Sequence, residues 1–237
     1  MADMKAMAAP AHGETTVERV YEQLKAMAIS FEFPPGGRVN ELAVARQIGV
    51  SRTPLREALN RLTADGFLTF SRQQGFFRKP LSVKAVEDLY EWREQIERGV
   101  MRLAAECATE GALDEIEAFL NSSSAAAGRT SKELLAIDEA FHERVAALTG
   151  NVEILEALQK LNDRIRFVRW VDLEGRADHS FARHHAILAA LRSRDGERAE
   201  ALMMELLRTP RDQIVSTVKD AFARIYMNRE TAFIPPV

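Results

Sequence analysis

The chain has 237 residues, 46% hydrophobic and 28% charged, with 12 glycines, 8 prolines and one cysteine. This supports one large or two modest globular domains, excludes an internal disulfide framework, and leaves no apolar run near the roughly 20 residues of a membrane span. The net charge of −3 is unevenly spread: residues 1–80 carry 11 Lys and Arg against 8 Asp and Glu, whereas residues 81–237 carry 21 against 27. A basic head on an acidic body can still attract DNA phosphates, and with no basic-then-apolar leader at its start the chain is expected to be cytoplasmic, with no membrane partner.

Met1–Gly13 is alanine-rich and aperiodic and reads as a disordered tail. Thr16–Ser30 has helical spacing of Val17, Val20, Leu24 and Met27, and Pro34, Pro35, Gly36 and Gly37 stop it. Glu41–Gln47 forms a short helix with Val44, Ala45 and Ile48 inward, and Gly49 supplies the bend to a third helix. In that helix Leu55, Leu59 and Leu62 form the inner stripe, while Arg52, Arg56 and Arg61 lie off it as a cationic face.

Ser51 is expected to cap this helix through its hydroxyl, and Pro54 is tolerated at the third helical position. Arg52, Thr53 and Arg56 occupy the first two turns, where a recognition helix reaches base edges and an arginine fork can bind guanine twice. A solvated amphipathic helix is the plainer reading of the same pattern taken alone. Strands at Phe67–Phe70 and Phe76–Lys79, with a turn at Gln73–Gly75 and a stop at Pro80, complete a winged helix-turn-helix over residues 14–80.

From Leu81 onward the period is helical throughout. Ser82 caps a helix running to about Thr109, followed by helices near Leu113–Ala126, Lys132–Leu148, Val152–Asp172, Arg176–Arg194, Glu197–Arg208 and Pro210–Tyr226. The breaks fall at Gly111, at Gly128 with a Thr130–Glu133 capping box, at Gly150–Asn151, at Gly175, at Gly196 and at Thr209–Pro210. The fold class is therefore mainly α: a winged helix with a two-stranded wing, then an all-α antiparallel bundle over 81–237, with Cys107 expected as a small core residue.

Asp138 and His142 stand one turn apart on one helix face, and His184 sits near the centre of the arc Phe181, Ile187, Leu188 and Leu191, with His185 outside it. These three can hold a divalent metal; a buried hydrogen-bond network accounts for them equally. Arg93 lies inside the arc of Leu89, Ile96, Val100 and Leu103, where a guanidinium needs an anion. Glu97, Asp138 or a ligand carboxylate can supply it.

Three stretches carry a resemblance: P-P-G-G-R-V at Pro34–Val39, E-L-A-V-A-R-Q-I-G-V-S-R-T-P-L-R-E-A-L-N-R-L at Glu41–Leu62, and D-G-F-L at Asp65–Leu68, together with Gly75. The chain resembles the GntR family of bacterial transcription regulators over its first eighty or so residues. The resemblance implies DNA contacts by Ser51, Arg52, Thr53 and Arg56 and a wing tip at Gly75 entering the minor groove; Arg46 and Arg72 complete the candidate DNA-contacting set. Phe31 departs from the glycine that the family usually has before its Phe-x-Pro-Gly segment.

D-E-A-F-H at Asp138–His142, Gly150–Asn151 and H-H-A-I-L-A-A-L-R-S-R-D at His184–Asp195 resemble the FadR-like branch, whose helical FCD domain binds an effector and forms the dimer. The resemblance implies an effector site at Arg93, Asp138, His142 and His184, and zinc or a similar divalent metal on Asp138, His142 and His184. A third family histidine falls on Leu206 here, which weakens such a site. The expected function is a homodimeric repressor of a double-stranded DNA operator, controlled by a small carboxylate. The alternatives are a metal-dependent enzyme acting on a small organic acid and an effector-independent DNA binder.

Overall fold

The computed structural model describes residues 16–124, 128–173 and 181–232, with side chains as far as Met227 in the last segment. The tail, Gly175 and residues 176–180 of the expected Arg176–Arg194 helix lie outside them. Contacts divide the chain into two compact units between Pro80 and Leu81.

The first unit contains α1 (Thr16–Ile29), α2 (Glu41–Ile48), α3 (Arg52–Ala64), β1 (Leu68–Ser71) and β2 (Gly75–Arg78). Its core joins Val20 and Leu24 of α1, Val44 and Ala45 of α2, Leu55, Leu59 and Leu62 of α3, and Phe67, Leu68 and Phe76 at the wing. Asn40 caps α2 by accepting from the Ala43 N–H at 3.1 Å. Gly49 then ends α2 at φ +70, a left-handed turn that glycine adopts without Cβ strain. The antiparallel strands pair Leu68 with Arg78 and Ser71 with Gly75, one residue displaced from the expected bounds.

Phe31 follows α1 in the left-handed region, φ +57. Such a conformation costs a bulky residue about 1–2 kcal/mol. Its ring is buried, 4.6 Å from the Arg78 guanidinium. Removing a buried phenylalanine costs about 3–5 kcal/mol, so burial outweighs strain. Phe31→Gly is therefore expected to destabilise the first unit by about 2 kcal/mol, seen as a lower urea midpoint; a raised midpoint would mean that strain dominates.

The second unit contains α4 (Val83–Cys107), α5 (Glu110–Ser124), α6 (Ser131–Ala147), α7 (Val152–Leu173), α8 (Phe181–Arg192), α9 (Gly196–Leu207) and α10 (Arg211–Ala232). Ser82 caps α4, accepting from the Ala85 N–H at 3.2 Å, and the Thr130–Glu133 capping box opens α6. Gly150 at φ +67 and Asn151, whose side chain accepts from the Glu153 and Ile154 amides, separate α6 from α7. The main core runs through Val100, Met101, Leu113, Leu120, Phe141, Val145, Leu158, Leu161, Ile165, Ile187, Leu191 and Met203. A smaller cluster packs Val86 and Val168 against Ile214 and Val218, seating α10 on α4 and α7. Cys107, expected inside, is exposed at the end of α4, because the buried face there is taken by Met101, Ala104, Ala105 and Ala108.

Candidate functional site

In the first unit, Arg46, Ser51, Arg52, Thr53 and Arg56 are exposed around the start of α3, and Arg72 is exposed in the turn between the strands. Gly75 opens β2 at φ +87, so the wing turn uses glycine's conformational freedom. Ser51 occupies the N-cap position but its hydroxyl makes no cap bond, contrary to expectation. Arg56 lies 3.8 Å from Glu41 and keeps half of its side chain in solvent.

Arg61 is a correction to the expected cationic face. Its guanidinium donates to Glu18 at 2.8 and 3.2 Å and stacks 4.1 Å from the Tyr21 ring, while the Tyr21 hydroxyl donates to Asp65 at 2.8 Å. The arginine ties α3 to α1. Arg78 is also committed within the unit: buried, it donates to the Phe67 carbonyl at 2.7 Å.

In the second unit a cavity of about 210 Å³ opens among Tyr90, Arg93, Asp138, His142, Arg169, Asp172, Arg183, Leu206, Leu207, Arg208 and Gln213. Three of the four positions singled out by sequence, Arg93, Asp138 and His142, line it, and His184 is joined to them through Asp138 and is not itself on the lining. Glu97, fully buried on α4, accepts from Arg93 Nε at 2.9 Å and bonds His142 Nδ1 at 2.6 Å. Burial alone would raise the Glu97 pKa, but the charges of His142 and Arg93 outweigh it and hold the carboxyl below 4.5. An ionised Glu97 accepts from His142 Nδ1–H and so orients the ring, whose Nε2 lies 3.6 Å from Asp138 Oδ2.

His184 sits beside the same carboxylate, its Nε2 3.4 Å from Asp138 Oδ1, and stacks on Phe141 at 4.0 Å. Burial pushes the His184 pKa down, against the pull of Asp138. Burial would raise the Asp138 pKa, but Arg169, His142 and His184 together drive it well below the usual carboxylate range. Arg169 bonds Asp138 directly, and Arg93 Nη2 approaches the same oxygen at 4.0 Å.

The donor atoms of Asp138, His142 and His184 lie within 4.8 Å of one another. Two imidazole nitrogens and a carboxylate, one imidazole held by Glu97 behind it, match the donor chemistry of zinc and similar cations. Leu206, at the position of the expected third histidine, lines the cavity as an apolar wall.

Arg93 and Arg169 both line the cavity, and each has a buried nitrogen, Arg93 Nη2 and Arg169 Nη1, with no hydrogen-bond partner among the described residues. Nη1 of Arg169 has only Glu139 Oε1 at 3.6 Å, too long for a hydrogen bond. Sequence reasoning placed Arg93 but missed Arg169. A signal existed, because Arg169 continues the buried stripe Leu158, Asn162 and Ile165 of α7, the same anomaly that singled out Arg93. Glu97 was foreseen as a partner for Arg93 and not as the group that orients His142.

A winged helix with exposed arginines, followed in the chain by a helical unit holding a cavity lined by arginines, defines a ligand-sensing DNA-binding protein. The chain belongs to the GntR family of bacterial regulatory proteins: that family's model matches residues 16–77 and the FCD domain matches residues 88–209. It is 38% identical to the Nta operon transcriptional regulator of Aminobacter aminovorans, over 84% of this chain and 95% of that one. It is 27% identical to the HTH-type transcriptional repressor RspR of Escherichia coli, over 80% and 85% of the two chains. The fold matches E. coli McbR/YncC with a TM-score of 0.61 and 20% identity, covering 91% and 99% of the two chains. The protein is thus a DNA-binding transcriptional regulator with an effector-binding domain, and these matches favour neither the enzyme nor the effector-independent alternative. No helix among the described residues is long and apolar enough to cross a membrane.

Proposed function

We propose that this regulator is a homodimeric repressor whose hold on a two-fold operator is set by a small carboxylate in the cavity of the helical unit. The observation that carries the ligand class is the pair of arginines, Arg93 and Arg169, on the lining of one cavity, each with a buried guanidinium nitrogen that lacks a hydrogen-bond partner among the described residues. Leaving a buried cationic donor unsatisfied costs more than the 1–3 kcal/mol of a neutral group, and a carboxylate entering between the two arginines removes that penalty. Asp138, His142 and His184 would hold a divalent cation, zinc or similar. When bound, that ion supplies positive charge that helps anchor an acid's oxygens. The chain's own residues do the orienting: Glu97 fixes the His142 ring, Phe141 fixes the His184 ring, and Arg169 fixes the Asp138 carboxylate.

The sense of regulation follows the repressor among the relatives. Two-fold protein symmetry then pairs with a pseudo-palindromic site, and the ligand acts by preferring one arrangement of the two heads.

The test is a thermal-shift and footprinting screen of the purified protein with small mono-, di- and tricarboxylates, with and without added zinc. At least one acid is expected to raise the melting temperature and change operator protection, and Arg169→Gln is expected to remove both responses. Responses that survive Arg169→Gln unchanged, or silence from every acid with a properly folded protein, would overturn the carboxylate assignment.

A further inference from the structure

We propose that Arg38, in the Pro34–Val39 segment ahead of α2, is a DNA-phosphate anchor that bridges the recognition helix and the wing. The inference rests on the head being the DNA-binding surface and adds a contact that the reading of α3 and Gly75 does not include.

The backbone places Arg38 firmly. Gly36 N–H donates to the Arg78 carbonyl at 3.1 Å, Arg78 N–H to the Gly37 carbonyl at 2.9 Å, and Val39 N–H to the Phe76 carbonyl at 2.8 Å. An isolated bridge pairs Arg38 with Phe77, so the segment runs along β2 as a short third rung of the wing. Alternation along an extended strand then separates the neighbours: Val39 is 3% exposed in the core and Arg38 is turned to solvent.

The side chain reaches the wing turn. Its Nη2 lies 4.0 Å from the point where a Cβ on Gly75 would stand. On its other side it shares a concavity of about 480 Å³ with Arg52 and Arg56 of α3 and with Val39, Asn40, Glu41 and Leu42. Three guanidiniums therefore line one groove against a single carboxylate, Glu41, which stands 3.8 Å from Arg56. Among the described residues Arg38 has neither an ion pair nor a hydrogen bond, unlike Arg61 and Arg78, whose guanidiniums are committed to protein acceptors. A concave, cation-lined surface between the two DNA-facing elements suits a phosphodiester rather than a base edge, because Arg38 projects from a strand rung and not from the tip of either reader.

Phosphate contacts act uniformly on all sequences and release counterions, so each one contributes about 0.9 to the slope of log K against log salt. The experiment measures binding of the full chain to a short random-sequence duplex, and to a duplex selected in vitro for tight binding, across a salt series. Arg38→Ala is expected to weaken both duplexes by the same factor and to lower both slopes by roughly 0.9 for each head on the DNA, roughly 1.8 for the dimer. Arg38→Lys, which keeps the point charge, is expected to restore most of the slope, and an unchanged melting temperature shows that the variants fold. Unchanged slopes, or a loss confined to the selected duplex, would overturn the phosphate role. Parallel measurement of Arg52→Ala distinguishes the two levels: if it too left selected binding intact, the assignment of the head would fail, whereas an effect there with none at Arg38 would fail this proposal alone.

Discussion

The double variant Arg52→Ala, Arg56→Ala is expected to lose specific operator binding while its helical unit stays folded. Both side chains are exposed at the start of α3, with no part in the core formed by Leu55, Leu59 and Leu62, so truncation removes a reading surface without removing packing. A well-aligned arginine–guanine pair discriminates by about 1–3 kcal/mol. Losing two such pairs at each head corresponds to about 2–6 kcal/mol, or roughly thirty-fold to twenty-thousand-fold in affinity, for each half-site. Gel-shift titration with operator and random duplexes checks this, alongside circular dichroism of the variant. Operator affinity within a few-fold of the parent would mean that α3 does not read sequence. Arg61→Ala makes an instructive contrast, since its guanidinium is engaged with Glu18 and Tyr21 and its loss is expected to loosen α1 against α3.

The largest expected effect on stability is at Glu97. This carboxylate is fully buried and serves two partners at once, Arg93 at 2.9 Å and His142 at 2.6 Å. Glu97→Leu leaves the buried Arg93 guanidinium without its hydrogen-bonded anion, with only Asp138 at 4.0 Å, and the His142 ring without the acceptor that orients it. Breaking a buried pair from one side costs about 3–5 kcal/mol, a large fraction of the 5–15 kcal/mol that a whole domain retains. Urea unfolding is expected to show the second unit destabilised by that amount, with the first unit unchanged. Glu97→Gln, which can still accept from His142 Nδ1, is expected to recover part of the loss. If Glu97→Leu were neutral, the Arg93 and His142 contacts would be energetically idle and the cavity's geometry would have another origin.

The head was the more legible half in the sequence because its information is local. Helix, bend, recognition helix and wing follow within Thr16–Pro80, and each boundary has its own chemistry: prolines and glycines after α1, Gly49 between α2 and α3, and Gly75 at the wing. Periodicity also placed Asp138, His142, His184 and Arg93 on inward faces, since a helix of 3.6 residues per turn projects its buried side from spacing alone. Ser51 shows where the local rule stops: residue type and position favour a cap, yet the hydroxyl makes no such bond.

Which residue faces which is a different kind of information. Glu18 and Arg61 are 43 positions apart, Glu97 and His142 45, and Asp138 and Arg169 31. Spacing identifies a face but says nothing of the element packed against it, so Arg61 counted as part of the cationic face until Glu18 and Tyr21 of α1 met it, and Arg169 was overlooked until α7 met α6. The amino-acid order by itself determined the helices, the wing, the inward positions and the cationic start of α3, because those depend on contacts within a few residues. Only the packing of distant helices decided which arginines are spent on the protein's own carboxylates and which two line a cavity with a buried nitrogen unbonded, because burying a charge is settled by whatever anion the fold brings beside it.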